Sequence, residues 1–216
     1  MSAADFLLAP EVQKLLRIVY SAPGQSFATS ELVQRSSLDT ADVSRTLEHL
    51  VKSGILRAKK SGSDVLDAVE VNRSFVFYDE LRSIALKSFA AAEPIRAMLR
   101  SRFRESVLRA FLLGEDEDGN VELLIVHGQL MPDKTEMTIA CEKLSKALGR
   151  HLEVHVISDA RFRALKPRDP LAAKLSAGSA HEIIALGATK ASLPTEPAGL
   201  IQSARRKLAK LYGPAA

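Results

Sequence analysis

Over the first 78 residues, apolar positions recur every three or four residues and then give way to short alternating runs. In "PEVQKLLRIVYSA" Val12, Leu15, Leu16 and Val19 share one helical face, and Pro10 stands at the start, where its missing N–H matters least. "SFATSELVQRSS" predicts a second helix with Thr29 or Ser30 as its N-cap. "LDTADVSRTLEHLVKSG" predicts a third: Asp39 or Thr40 caps it, Val43, Leu47, Leu50 and Val51 form its apolar stripe, and Gly54 stops it. "ILRAKKSGSDVLDAVEVN" then reads as two short strands around a Lys-Lys-Ser-Gly-Ser turn. Residues 79–108 are helical with a break at Pro94, and Leu81, Ile84, Ala85 and Phe89 form a stripe suited to packing on a second subunit.

The second half alternates strand and helix. Leu108 to Leu113 and Val121 to Val126 are strands, 134–149 is a helix ending at Gly149, and "HLEVHVIS" is a third strand. Residues around Pro167 and Pro170 are helical, "HEIIALG" is a short apolar element, and a polar linker from Pro194 leads into a basic helix, "GLIQSARRKLAKLYG". The pattern predicts an α+β chain in two domains. Residues 1–78 make a helical domain with a hairpin and 79–105 a connecting helix. A small α/β domain with a mixed sheet spans 106–190, and a linker with a basic C-terminal helix spans 191–216.

Composition adds little beyond solubility: 46% hydrophobic, 26% charged, and no apolar run near the roughly 20 residues of a membrane span. Together with an N-terminus that lacks a basic leader, this sets the expected location as the cytoplasm, with no membrane partner. The single Cys141 excludes internal disulfides and thiolate clusters and reads as a buried structural thiol. The net charge of +4 is unevenly spread. Residues 81–109 and 200–216 are basic, whereas 115–122 hold five carboxylates and no base, so a polyanionic partner fits part of the surface.

Three short helices followed by a basic-tipped hairpin is the order of a winged helix-turn-helix. Thr40, Ala41, Ser44, Arg45 and His49 fall opposite the apolar stripe of the third helix, where small and polar side chains let a helix enter a major groove and reach base edges. Arg57, Lys59 and Lys60 in the turn are placed for backbone phosphates. The expected partner is double-stranded DNA, bound as a homodimer.

From "LEHLVKSGILRAKKSGSDVLDAVEVN" and "FYDELRSI" through "AFLLG", "NVELLIV", "LGRHLEVHVISDARFR", "DPLAAKLSAG" and "IIALG", the chain resembles a winged-helix regulator joined to a minimal nucleotidyltransferase-like domain, over about residues 5–190. Active members of that family carry Gly-Ser after the first strand, two Asp one residue apart on the second, and a third carboxylate on a later strand. Two Mg²⁺ ions bridging nucleotide phosphates need carboxylates from one face of adjacent strands, which residues i and i+2 supply. Gly-Ser lets backbone N–H groups approach the phosphates.

Here Gly114 is kept, but Glu115 stands where Ser is expected, and Asn120 where the first Asp is expected. Glu122 takes the second position, and Glu153 corresponds to the third. The resemblance therefore implies a degenerate nucleotide site in a domain kept for dimerisation, sensing or partner docking, with no cofactor expected. The alternative is an active Mg²⁺-dependent nucleotidyltransferase, in the manner of antitoxins that adenylylate a protein partner; a third option is a nucleotide ligand that switches DNA affinity. Asp116, Glu117 and Asp118 before Gly119 suit a solvated turn. His151, Glu153 and His155 alternate along a strand, so they would share one face, suited either to a transition metal or to an exposed sheet surface.

Overall fold

The computed structural model describes residues 3–59, 67–116 and 118–194. Pro10 opens α1 (Pro10–Ser21), whose buried Leu15, Leu16 and Val19 face α2 (Thr29–Ser36) and α3 (Thr40–Lys52). Asp39 caps α3: its carboxylate accepts from the Asp42 N–H at 2.7 Å. Gly54 follows the helix with φ 75°, the left-handed exit that lets the chain turn back into a strand. β1 (Ser26–Ala28), β2 (Leu56–Lys59) and β3 (Ala68–Val71) form an antiparallel sheet in the order β1-β3-β2. Phe27, Val43, Leu47, Leu50, Leu56 and Val69 close this first core.

Two helices leave the sheet, α4 (Tyr78–Lys87) and α5 (Ala92–Arg102). Ala85 and Phe89 belong to the first core, whereas Ile95, Leu99 and Phe103 belong to a second. That second core lies on a four-stranded sheet, β4 (Val107–Glu115), β5 (Val121–His127), β6 (Leu152–Ser158) and β7 (His181–Ile184), in the order β6-β5-β4-β7. The β4–β5 and β4–β7 pairs are antiparallel, and β5–β6 is parallel with α6 (Lys134–Leu148) as its crossover. Alternation sends Val121, Leu123 and Ile125 to the α5–α6 side. Leu124 and Val126 go to the other side, where α7 (Asp159–Arg163) and α8 (Pro170–Ser176) supply Phe162, Leu171 and Leu175. Covered on both faces, β5 is a near-continuous apolar run interrupted only by Glu122.

Several sequence expectations change. The N-cap of α2 is Ala28, with no side-chain bond, and Thr29 is already helical, because Ser26–Ala28 pairs with β3 as a strand too short to show a period. The helical break lies at Ser88–Ala91 rather than at Pro94, which sits in the first turn of α5, where N–H groups have no intrahelical partner to lose. The stripe Leu81, Ile84, Ala85 and Phe89, assigned above to a second subunit, packs instead into this chain's own first core. Lys60, most of the hairpin turn, Glu117 and the basic C-terminal helix fall outside the described residues.

One titration probes the β7 edge. Burial, then the cations of Arg96 and Lys87, hold the His181 imidazole below its usual 6.5, against a smaller opposing pull from Glu182. Below pH 6.5 the unfolded chain then binds more protons than the folded one, so stability falls as pH drops. Urea unfolding between pH 7 and 5 is expected to show this loss, and His181→Gln to flatten it.

Candidate functional sites

The outer face of α3 is built by the inner one. Val43, Thr46, Leu47 and Leu50 are buried, which turns Thr40, Ala41, Arg45 and His49 into solvent and leaves Ser44 half-buried. The Arg45 side chain is 79% exposed and meets only Asp42, one turn back. An exposed pair of that kind contributes little, so the guanidinium is free to exchange partners. Glu48 and Lys52 form a long pair at 4.0 Å on the same face. Arg57 and Lys59 lie not in the turn but at i and i+2 on β2, on one side of its sheet. Arg57 donates to Ser74 Oγ at 3.1 Å, and Lys59 reaches Ser26 Oγ at 2.8 Å and Glu70 at 3.1 Å.

The acidic hairpin between β4 and β5 has a different character. Gly114 adopts φ 127° at a bulge in β4 and pairs with Glu122. A Cβ there would stand 3.1 Å from the side chain of Ser179, whose hydroxyl donates to the Leu113 carbonyl at 3.0 Å. The loop before β7 is held over the glycine from the other side by Lys87, which donates to the Gly178 carbonyl at 2.9 Å. The chain itself therefore stands against the side of Gly114 on which a Cβ would lie.

Glu115 occupies the next position and is 10% exposed. One oxygen lies 2.5 Å from Arg82 of α4, and the other pairs with Arg150, itself only 6% exposed. Arg150 also donates to the Tyr20 carbonyl at the end of α1. Burial and the nearby Arg82 charge lower its guanidinium to about 10, against a smaller upward pull from Tyr78, so it stays protonated at neutral pH. Two cations that could bind a phosphate thus share one carboxylate, in the position where the resemblance expects a serine.

Glu122 is buried on β5, on the α7–α8 side, and pairs with Lys174 of α8. Glu153 is its register neighbour on β6 and shares that side, but is 47% exposed and lies 3.7 Å from His155. Asn120 is absorbed by the turn: its backbone and side-chain N–H groups donate to Asp116 at 2.8 and 2.7 Å. These bonds, the side-chain one first, draw the Asp116 carboxyl below the usual range.

A two-metal nucleotide site needs shared carboxylates and an open phosphate cradle. This cleft has an ammonium on Glu122, an anion in the cradle and a serine side chain against the glycine. The residues present do not fit the metal–nucleotide pair.

His151 does not join Glu153 and His155. It precedes β6 and lines a groove on the opposite side of the sheet with Leu152 and Val154, and the described residues contain no cluster of three metal-binding side chains. Cys141 is buried, and burial pushes its thiol up to about 11, which removes it as a nucleophile at neutral pH. The residues the sequence reading passed over are Arg82, Arg150, Lys174 and Ser179. Arg82 was visible as one member of a basic run, but nothing in its spacing pointed to Glu115, thirty-three positions away.

Glu115→Gln is expected to lower the unfolding free energy in urea by about 3 kcal/mol, because it leaves two guanidinium groups, one of them largely buried, without their carboxylate. Glu122→Gln should cost less, about 1 kcal/mol, because Lys174 is 42% exposed and can turn to water. Equal losses would contradict this assignment. No model of a protein family, no curated protein and no solved structure matches the chain.

Proposed function

We propose that the chain is a sequence-specific DNA-binding regulator: a winged helix-turn-helix joined to a nucleotidyltransferase-like domain that has lost its reaction and serves dimerisation, sensing or partner docking. The observation that carries this reading is α3, whose polar face is held outward by a fully buried opposite stripe and is followed directly by the cationic strand β2. In this reading α3 enters the major groove, with Ser44, Arg45 and His49 near base edges, and Arg57 and Lys59 approach the backbone. A two-fold homodimer on a pseudo-palindrome is part of the proposal, with its interface away from the α4 stripe, which the chain covers itself.

Selection from a random duplex library followed by anisotropy titration tests it. Binding should weaken steeply with salt, by a slope of about 0.9 per neutralised phosphate. Arg45→Ala should relax base preference and cost about 1–3 kcal/mol on the selected site, whereas Lys59→Ala should weaken all sequences alike and reduce the slope by about one. Absence of duplex binding, or binding insensitive to salt, overturns the proposal.

Nucleotidyl transfer to a protein partner is the weaker reading, because Glu115 would repel a triphosphate where a hydroxyl should donate to it. With ATP and Mg²⁺ at millimolar concentration, no shift in melting temperature and no label transfer are expected. Transfer that Glu122→Gln abolishes would restore the enzyme reading.

A further inference from the structure

β6 is the outer strand of its sheet, and no strand pairs with its free edge among the described residues. The Val121 N–H donates to the His151 carbonyl at 2.8 Å, so the backbone of the odd-numbered residues of β6 faces β5. Val154 and Val156 therefore turn their N–H and C=O groups outward, and the Leu152 carbonyl points the same way. The Leu152 N–H is already taken by Ser145 Oγ at 3.1 Å. Beside this edge, on the α6 side of the sheet, lies an apolar groove of about 820 Å³ walled by Met131, Met137, Cys141, Leu152, Val154 and Val156. Met131 is 67% exposed and Val156 38%. An unpaired edge beside apolar surface invites uncontrolled pairing unless something covers it.

The edge is complementary to itself. In an antiparallel pair of β6 strands, charge decides which residue lies on the two-fold axis. With the axis at Val154, that residue meets its own copy, Leu152 meets Val156, and Glu153 meets His155, twice over by symmetry. An axis at Glu153 opposes two carboxylates. An axis at His155 or Val156 sets Glu153 or His155, respectively, against Ile157. Within one chain Glu153 and His155 stand 3.7 Å apart, too far for a hydrogen bond, and His155 Nε2 has no hydrogen-bond partner among the described residues.

We propose that a second copy of the chain covers this edge, the two β6 strands pairing antiparallel about an axis at Val154. The two four-stranded sheets then become one, and the two grooves close against each other. The Val154 pair exchanges both backbone bonds, and each Val156 N–H donates to the Leu152 carbonyl opposite. Glu153 and His155 meet on the face away from α6. This names the interface of the two-fold dimer in the proposed function and rests on that reading for the dimer, not for its DNA.

Sedimentation velocity of the full chain, without DNA, tests the interface. A dimer is expected at micromolar protein. Glu153→Lys and His155→Glu should each weaken it about tenfold, and the exchanged pair, Glu153→Lys with His155→Glu, should recover most of that loss. In a Cys141→Ala background, mixing Glu153→Cys chains with His155→Cys chains brings two thiols to a non-hydrogen-bonded pair, with Cα atoms about 4.5 Å apart and within reach of a disulfide. Oxidation of the mixture should give at least tenfold more cross-linked dimer than either chain alone. A monomer, a dimer indifferent to the charge variants, or His155→Cys linking to itself as readily as to Glu153→Cys overturns the proposal. Because no DNA is present, a dimer that responds as expected but binds no duplex overturns the DNA reading alone. A duplex-binding chain whose self-association ignores these variants overturns this interface alone.

Discussion

Glu115 holds one carboxylate between two guanidinium groups, and the arrangement of the two cores turns on that contact. Arg82 comes from α4, whose apolar face is packed into the first core, and Arg150 comes from the turn after α6, in the second. Arg150 also donates to the Tyr20 carbonyl in the last turn of α1, so one network joins both halves. Glu115 and Arg150 are poorly hydrated, which makes the carboxylate important to the buried cation beside it, while Arg82 is partly exposed. Gly114 beside Glu115 lies at a bulge, with the Ser179 side chain against it.

The same contact sets the acidic hairpin apart from an open phosphate site. A phosphate site is a pocket of unpaid positive charge beside backbone that nothing covers. Here Arg82 and Arg150 are paired, the backbone at Gly114 is covered, and the buried carboxylate of Glu122 has an ammonium in place of a metal. The charged groups of the hairpin pair within the chain and help to hold it together.

The remaining surface divides by curvature and polarity. The outer face of α3 is polar and convex, suited to a groove in a partner, while the α6–β6 side is apolar and concave, suited to receiving an element. They lie on different cores, which the Glu115 network and the contact of α1 with α6 join.

Local pattern alone determined the helices and most of the strands. The period of Val43, Leu47 and Leu50, the Asp39 cap and the Gly54 stop fixed α3 and its exposed face, because these depend on neighbours within a few residues. The apolar run from Val121 to Val126 likewise announced a buried strand around one charge. The resemblance also marked Glu115 and Asn120 as departures from the pattern of a nucleotide site. Tertiary structure alone decided what those residues do instead. Arg82 and Arg150 reach Glu115 from far along the chain, Lys174 meets Glu122 across a sheet face, and the α4 stripe finds its own core rather than a partner's. β1 was invisible because three residues carry no period, and the α4–α5 break shifted because each half of the run is pulled into a different core. Periodicity shows which face of an element is apolar, but charge pairing and packing between distant elements depend on distances that only the folded chain sets.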